Sequence, residues 1–217
     1  MSKHIGPACR LCRREQKKLE LKSDKCFSGK CPLEGSKSKK PRGTPGMTSK
    51  FKRRLTDYGV QLREKQILKR YYLLTETQFS GYVKKAQNFE GITAMHLFRL
   101  LESRFDVVVY RLGIGHSKKH ARQLIGHGYF LVNKKKVNIP SYIIKPGDVI
   151  EFRKEITEKR NVKDAVESID EGNLPAWLKI NKNALTFRME EAPKGEDIKT
   201  RFFPELRESL IVEFYSR

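Results

Sequence analysis

Four cysteines, the only ones in the chain, fall inside one short stretch as Cys9, Cys12, Cys26 and Cys31, spaced C-x2-C-x13-C-x4-C. The stretch that holds them, residues 1–47, is rich in lysine and closes on a loop-forming run through Gly35, Ser36, Pro41, Gly43, Pro45 and Gly46. Such a composition buries little apolar surface and does not offset the entropy of its own ordering. Something other than a core must hold it. Two close thiol pairs joined by a longer loop can converge on one tetrahedral ion, with the short spacers forming the ligand turns. A structural zinc ion supplies roughly 10–16 kcal/mol at neutral pH, far more than burial in this arm. Arg10, Arg13 and Arg14 are expected to lower the thiol pKa values and help retain the metal. Four protein thiolates leave no open coordination position, so the expectation is one structural zinc ion and no catalysis. An iron–sulfur cluster takes the same ligands, and free thiols or disulfides are the remaining alternatives.

Charge narrows the choice of partner. The 217 residues carry 46 Lys+Arg against 25 Asp+Glu, a formal charge of +21. A compact chain this basic repels itself, and a polyanion is the usual compensation. Residues 1–54 hold 17 basic and 4 acidic side chains, residues 55–154 hold 18 and 8, and residues 155–217 hold 11 and 13. The binding surface is therefore expected in the first two thirds, with the last third given to packing or protein contact. No stretch approaches the roughly 20 apolar residues that span a bilayer, and no signal-peptide core opens the sequence. The expectation is a cytosolic, reducing compartment, where cysteines serve more as metal ligands than as disulfides.

Apolar spacing gives the coarse organisation. Ser49 is a candidate cap, and Phe51, Leu55, Tyr58 and Leu62 recur at helical spacing. The stripe continues through Ile67, Tyr71 and Leu74, then Phe79, Tyr82 and Val83, with cations on the other faces. Thr93 opens a helix carrying Leu97, Leu100 and Leu101, Asp106 caps a short helix, and Ser117 caps another. Beyond Gly128 the period falls toward two, predicting strands at 130–132, 136–138 and 149–153 around a Lys145–Asp148 turn. From residue 155 the chain reads as helical through Val162, Val166 and Ile169, ending near Gly172; Pro175–Leu178 reads as a loop anchored by Trp177, 184–189 as one more strand, and 210–215 as a docked apolar tail.

On the helix opened by Ser117, Lys118, Lys119 and Arg122 fall on one face while Ala121, Leu124 and Ile125 face inward. Lys134, Lys135 and Lys136 occupy a turn between strands. A helix and a hairpin so charged would grip phosphates from two sides.

The segment RFDVVVYRLGIGHSKKHARQLIGHGYFLVNKKKVNIPSYIIKPGDVI, beginning at Arg104, resembles the RNA-binding module named after bacterial small-subunit ribosomal protein four. TDYGVQLREKQILKRYY (56–72), LLESRFDVVVYRLG (100–113), the four-cysteine arm and LIVEFYS (210–216) resemble the same family, so the likeness spans nearly the whole chain. Phe105, where leucine is usual, and the divergent RFFPELRESL (201–210) depart from its pattern. Many relatives lack the cysteines, which makes the arm a lineage feature and not the basis of RNA binding.

The resemblance implies an α+β protein: a zinc-bound N-terminal arm, a mostly helical domain, and an RNA-binding module of two short helices packed on a small antiparallel sheet. The division is expected at 1–47 for the arm, 48–92 for the helical domain with the tail 190–217 packing back on it, and 93–189 for the α+β domain, its module at 104–166. It implies direct binding of small-subunit ribosomal RNA, nucleation of the subunit body, and an influence on translational accuracy. The neighbour would be small-subunit protein five, with proteins three and twelve and messenger RNA at the entry side as further contacts. No membrane and no small-molecule substrate are implied.

Structured RNA is read through shape and phosphate contact, because the A-form major groove is too narrow for side chains. The expected phosphate contacts are Lys50, Lys52, Arg53, Arg54, Arg63, Lys69 and Arg70, then Arg104, Arg111, Lys118, Lys119, Arg122 and Lys134. An RNA-modifying enzyme would need a separate catalytic domain, for which residues 155–217 are too short. There is no phosphate-cradling Gly-rich loop, and the Ser-Lys-Lys between His116 and His120 lacks a metalloprotease glutamate. A zinc-finger DNA regulator would need histidine ligands and a recognition helix.

Overall fold

The computed structural model describes residues 6–22, 24–34, 43–46, 54–157, 166, 169, 172, 174–181 and 184–216. They fall into two compact units, one from residues 1–97 with 199–217 and the other from 98–198.

The first unit begins with α1 (Ala8–Glu15), which Gln16 closes in a left-handed conformation. In the arm Leu19 and Leu21 are buried, as are Ala8, Cys12, Cys26 and Cys31. The next helix, α2 (Asp57–Tyr71), starts where the Thr56 hydroxyl accepts the Gly59 amide at 3.2 Å. That is later than the start expected near Ser49. Ser49 and Phe51 lie outside the described residues. Leu73, left-handed, turns the chain after α2 while Leu74 N–H donates to the Lys69 carbonyl. A Thr75–Gln78 capping box then opens α3 (Glu76–Gln87).

The face that α2 buries includes the expected Ile67 and Tyr71 but is partly polar. Leu55 and Tyr58 are exposed, whereas Gln61, Lys65, Ile67, Leu68 and Tyr71 are buried. The polar members find partners across the fold: Gln61 donates to Glu213 at 2.9 Å, and Lys65 to Glu76 at 2.8 Å. Glu213 belongs to the helix Glu208–Ser216, which packs against both α2 and α3. Phe203 stacks edge-on against Tyr71 at 4.6 Å and completes that core.

The second unit takes the end of α4 (Thr93–Glu102), then α5 (Phe105–Arg111) and α6 (Lys118–Gly126). Ser117 caps α6 by accepting the His120 amide at 3.2 Å. Behind these helices lies an antiparallel sheet of β1 (Phe130–Val132), β2 (Lys135–Lys136), β3 (Val149–Phe152), β4 (Leu178–Asn181) and β5 (Thr186–Met189). Its order is β2-β1-β3-β5-β4. Phe130 pairs with Phe152, and Ile150 with Phe187, so these inward residues stack in one layer. Phe105 from α5 meets Phe130 edge-on at 5.7 Å, while Ala121 and Ile125 from α6 are wholly buried.

Three elements differ from the sequence reading. Strand β4 starts at the end of the loop expected at Pro175–Leu178 and is an element the sequence reading lacks; Leu178 and Ile180 alternate over only two positions, too short a period to announce a strand. Lys135 and Lys136 belong to β2, leaving Asn133 and Lys134 as the turn. Asp106 sits inside the first turn of α5, not at its cap. The helix expected around Val162 falls largely outside the described residues. After β3 come α7 (Lys154–Thr157), the β4–β5 hairpin, α8 (Gly195–Phe202) and α9 (Glu208–Ser216).

Candidate nucleic-acid interface and cysteine arm

Many of the cations expected to meet RNA are tied into the protein. Lys50, Lys52 and Arg53 lie outside the described residues, and Arg54 is exposed just ahead of α2. On α2, Arg63 and Arg70 both reach Glu15 of α1, Arg63 at 3.1 Å. Burial pushes the Glu15 carboxyl up, against the pull of Arg70, Arg63 and Arg14. Lys69 joins Lys65 on Glu76, at 2.7 and 2.8 Å. Burial alone would raise Glu76, but hydrogen bonds from Lys65, Lys69 and Tyr215 outweigh it and hold the carboxyl down at about 2. Burial and the bond to Glu76 push the Tyr215 phenol upward.

In the second unit the carboxylates are internal braces. Arg104 grips Asp106 with two hydrogen bonds of 3.0 and 2.9 Å, both side chains being 2% exposed. Arg122 reaches the same carboxylate from α6 at 2.5 Å. Arg111 makes a second two-pronged pair with Glu102, at 2.9 and 2.7 Å. Such pairs hold planar guanidinium groups in fixed orientation and are costly to break from one side. Lys118 is a correction to the sequence reading: it shares the buried face of α6 with Ala121 and Ile125, its ammonium 4.9 Å from the Tyr110 ring. Lys119 is half-buried.

Four exposed lysines of this unit stand on two turns. Lys134, Lys135 and Lys136 stand on the β1–β2 hairpin, and Lys145 on the turn before β3, all exposed. Lys145 was not singled out by the sequence, although its place in a Lys-Pro-Gly-Asp turn signals exposure. Gly128, with φ +71°, gives room to Lys136: a Cβ there would come within 2.7 Å of the Lys136 Cε.

His116 and His120 stack in parallel at 5.4 Å. Burial, then the charge of His116, lowers the His120 pKa.

In the arm, none of the four cysteines forms a disulfide; Cys12, Cys26 and Cys31 are buried, Cys9 half-buried. The Lys22 amide donates to the Cys26 sulfur at 3.3 Å. Burial pushes the Cys12 thiol up, reinforced by Cys26, Cys9 and Cys31 and opposed by the Leu19 amide. Burial and the neighbouring cysteines raise Cys26 as well. The lowering expected from nearby arginines does not figure at these two thiols. Among the described residues no group of three or more His, Cys, Asp or Glu side chains is arranged to hold a metal ion. Among them, too, no helix is long and apolar enough to cross a membrane.

Comparison with known proteins follows the same division. The family described as Ribosomal protein S4/S9 N-terminal domain matches residues 3–102. The S4 domain matches residues 103–150, the stretch that runs from Ser103 to Ile150. A mostly helical N-terminal part joined to α5, α6 and a small antiparallel sheet thus defines an S4-domain protein of ribosomal type. The small ribosomal subunit protein uS4 of Thermoanaerobacter sp. (strain X514) is 46% identical over 218 residues, covering 100% of both chains. Those of Dictyoglomus thermophilum and Syntrophotalea carbinolica are 46% and 42% identical over 217 residues, again at full coverage. The chain belongs to the small ribosomal subunit protein uS4 family.

Proposed function

We propose that this chain is a structural constituent of the small ribosomal subunit, not an enzyme, and that it binds small-subunit ribosomal RNA directly through its S4 domain. Full-length identity to uS4 proteins carries the reading. Its chemistry is supported by a basic module whose arginines are braced by internal carboxylates and whose lysines crowd an exposed hairpin. Cations oriented before binding lose less entropy on meeting phosphate. Early binding that nucleates the subunit body, and an influence on accuracy, belong to the same proposal. So do contacts with small-subunit protein five, with proteins three and twelve, and with messenger RNA at the entry side. The RNA-facing set is taken as Arg54, Lys119 and Lys134, with Lys50, Lys52 and Arg53; Arg122, expected in it, is held on Asp106. Arg63, Lys69, Arg70, Arg104, Arg111 and Lys118 are more strongly engaged inside the protein and act by shaping the surface.

A structural zinc ion held by Cys9, Cys12, Cys26 and Cys31 is part of the proposal. Its support is the donor set: four thiols close enough to feel one another's charge, three of them buried, with a backbone amide directed at the sulfur of Cys26. Soft thiolates in a small buried cluster suit a structural zinc ion. Bound zinc would replace mutual thiolate repulsion with attraction and tie the arm's loops together.

The direct test is binding of the purified protein to small-subunit ribosomal RNA, against a length-matched unrelated structured RNA, across a salt series. Preference for the ribosomal RNA that persists at physiological salt supports the reading. Equal affinities that collapse together as salt rises leave only a generic polycation.

A further inference from the structure

The β1–β2 hairpin is joined by two residues, Asn133 and Lys134, between the paired Val132 and Lys135. Both have left-handed backbones, with φ of 49° and 65°. That is the pattern of a type I′ turn, whose twist suits a hairpin and whose second position strongly favours glycine. Asn tolerates the left-handed region because its short side chain bonds locally, whereas lysine gains nothing from it. Of the other non-glycine residues with positive φ, Glu20 lies in the arm and Leu185 just before β5. Gln16 and Leu73 follow helix ends, where a left-handed residue is the ordinary way to stop a helix. Lys134 stands where a glycine would serve the fold better.

The surroundings hold the turn in place. Asn133 donates from its amide side chain to Asp148 at 2.8 Å and accepts the Val149 amide at 3.0 Å. Its backbone N–H donates to the Val149 carbonyl at 2.9 Å. The other Asp148 oxygen accepts the Lys145 amide at 2.8 Å. One carboxylate thereby locks two turns side by side, and both present exposed lysines, Lys134 from one and Lys145 from the other. Asp148 spends its two oxygens on amides.

We propose that Lys134 is an affinity-determining contact to the RNA sugar-phosphate backbone, and that Asn133 and Asp148 are positioning residues that hold it there. The proposal rests on the RNA-binding reading above and specifies where that binding is decided. Backbone strain kept at a site where the side chain points to solvent is stability given up for a contact made outside the chain.

The test compares the full-length protein with Lys134→Gly, Lys134→Ala and Asp148→Ala, each titrated with a small-subunit ribosomal RNA transcript across a salt series and each melted thermally. Lys134→Gly is expected to melt a few degrees higher while binding several-fold more weakly. Its slope of log affinity against log salt falls by about 0.7–0.9, the share of one phosphate contact. Lys134→Ala loses the same affinity and slope without the gain in melting temperature. Asp148→Ala removes a negative charge, so electrostatics alone would tighten binding; positioning requires that it weaken. Unchanged affinity and slope in both Lys134 variants overturn the contact, and tighter binding by Asp148→Ala overturns the positioning role. If the unsubstituted protein shows no preference for ribosomal RNA, the wider reading fails and takes this one with it.

Discussion

Lys65 and Glu76 are joined at 2.8 Å beneath the C-terminal helix, with the Lys65 ammonium 4.3 Å from the centre of the Phe214 ring. Lys65 is 4% exposed, and Tyr215 donates its hydroxyl to the same carboxylate at 2.7 Å. A polar pair therefore docks α9, with the aromatic rings closing around it.

This network makes the docking of α9 sensitive to acid. The folded Glu76 titrates at about 2, below its ordinary 4.5, so its stabilisation is fully present above pH 4.5 and is lost as pH falls toward 2. Nearly half the Glu76 side chain is exposed, and solvent screening limits the effect to about 1 kcal/mol. Glu76→Gln should lower the melting temperature at pH 7 and converge with the parent near pH 2. Parallel melting curves throughout that range would count against the network.

Asp106→Ala should be among the most destabilising single changes in the second unit. It removes the carboxylate that takes two hydrogen bonds from the buried Arg104 guanidinium and one from Arg122, a loss of roughly 3–5 kcal/mol for breaking a buried pair from one side. Glu155→Ala removes an exposed partner of Arg153 and should cost about 0–1 kcal/mol. Denaturant melts of the two variants give the comparison directly.

Lys118 and Lys119 are neighbours with opposite expected phenotypes. Lys118→Ala empties a buried site beside Tyr110 and should cost about 1–3 kcal/mol in stability. Lys119→Ala should leave stability nearly unchanged and flatten the salt dependence of RNA binding by about one unit or less. Thermal melts alongside RNA titrations separate them.

Replacing Cys9 and Cys12 with serine should loosen α1 and leave residues 54–157 folded. Amide exchange would show rapid exchange confined to the arm, and metal analysis would show the loss of one zinc per chain. Exchange accelerated throughout the chain would mean that the arm is not a separable unit.

What could be read from the sequence was mostly local. The Ser117 cap, the Lys145–Asp148 turn and the strand starting at Phe130 each announce themselves within a few residues. Partners distant in sequence did not. Asp106 joins Arg104, two residues away, but also Arg122, sixteen away, and no local pattern links the latter. Lys118 was misplaced for a different reason: its spacing to Ala121 and Ile125 puts it on the buried face, while its charge argued for the surface. Position prevailed because the Tyr110 ring offers the ammonium a place inside. On α2 the apolar stripe is buried at Ile67 and Tyr71, while Gln61 and Lys65 are buried through partners distant in sequence, Glu213 and Glu76, which no local pattern announces.

The first unit is assembled from two widely separated stretches of chain, with residues 98–198 between them. On a translating ribosome the intervening unit is complete before α9 has been made, so it can close while the helices ahead of it still wait. Gln61 and Lys65 would then spend that interval without Glu213 and the Phe214 ring, open to water or to a passing chaperone. The order of synthesis thus lets the S4 module reach its final form ahead of the helical unit.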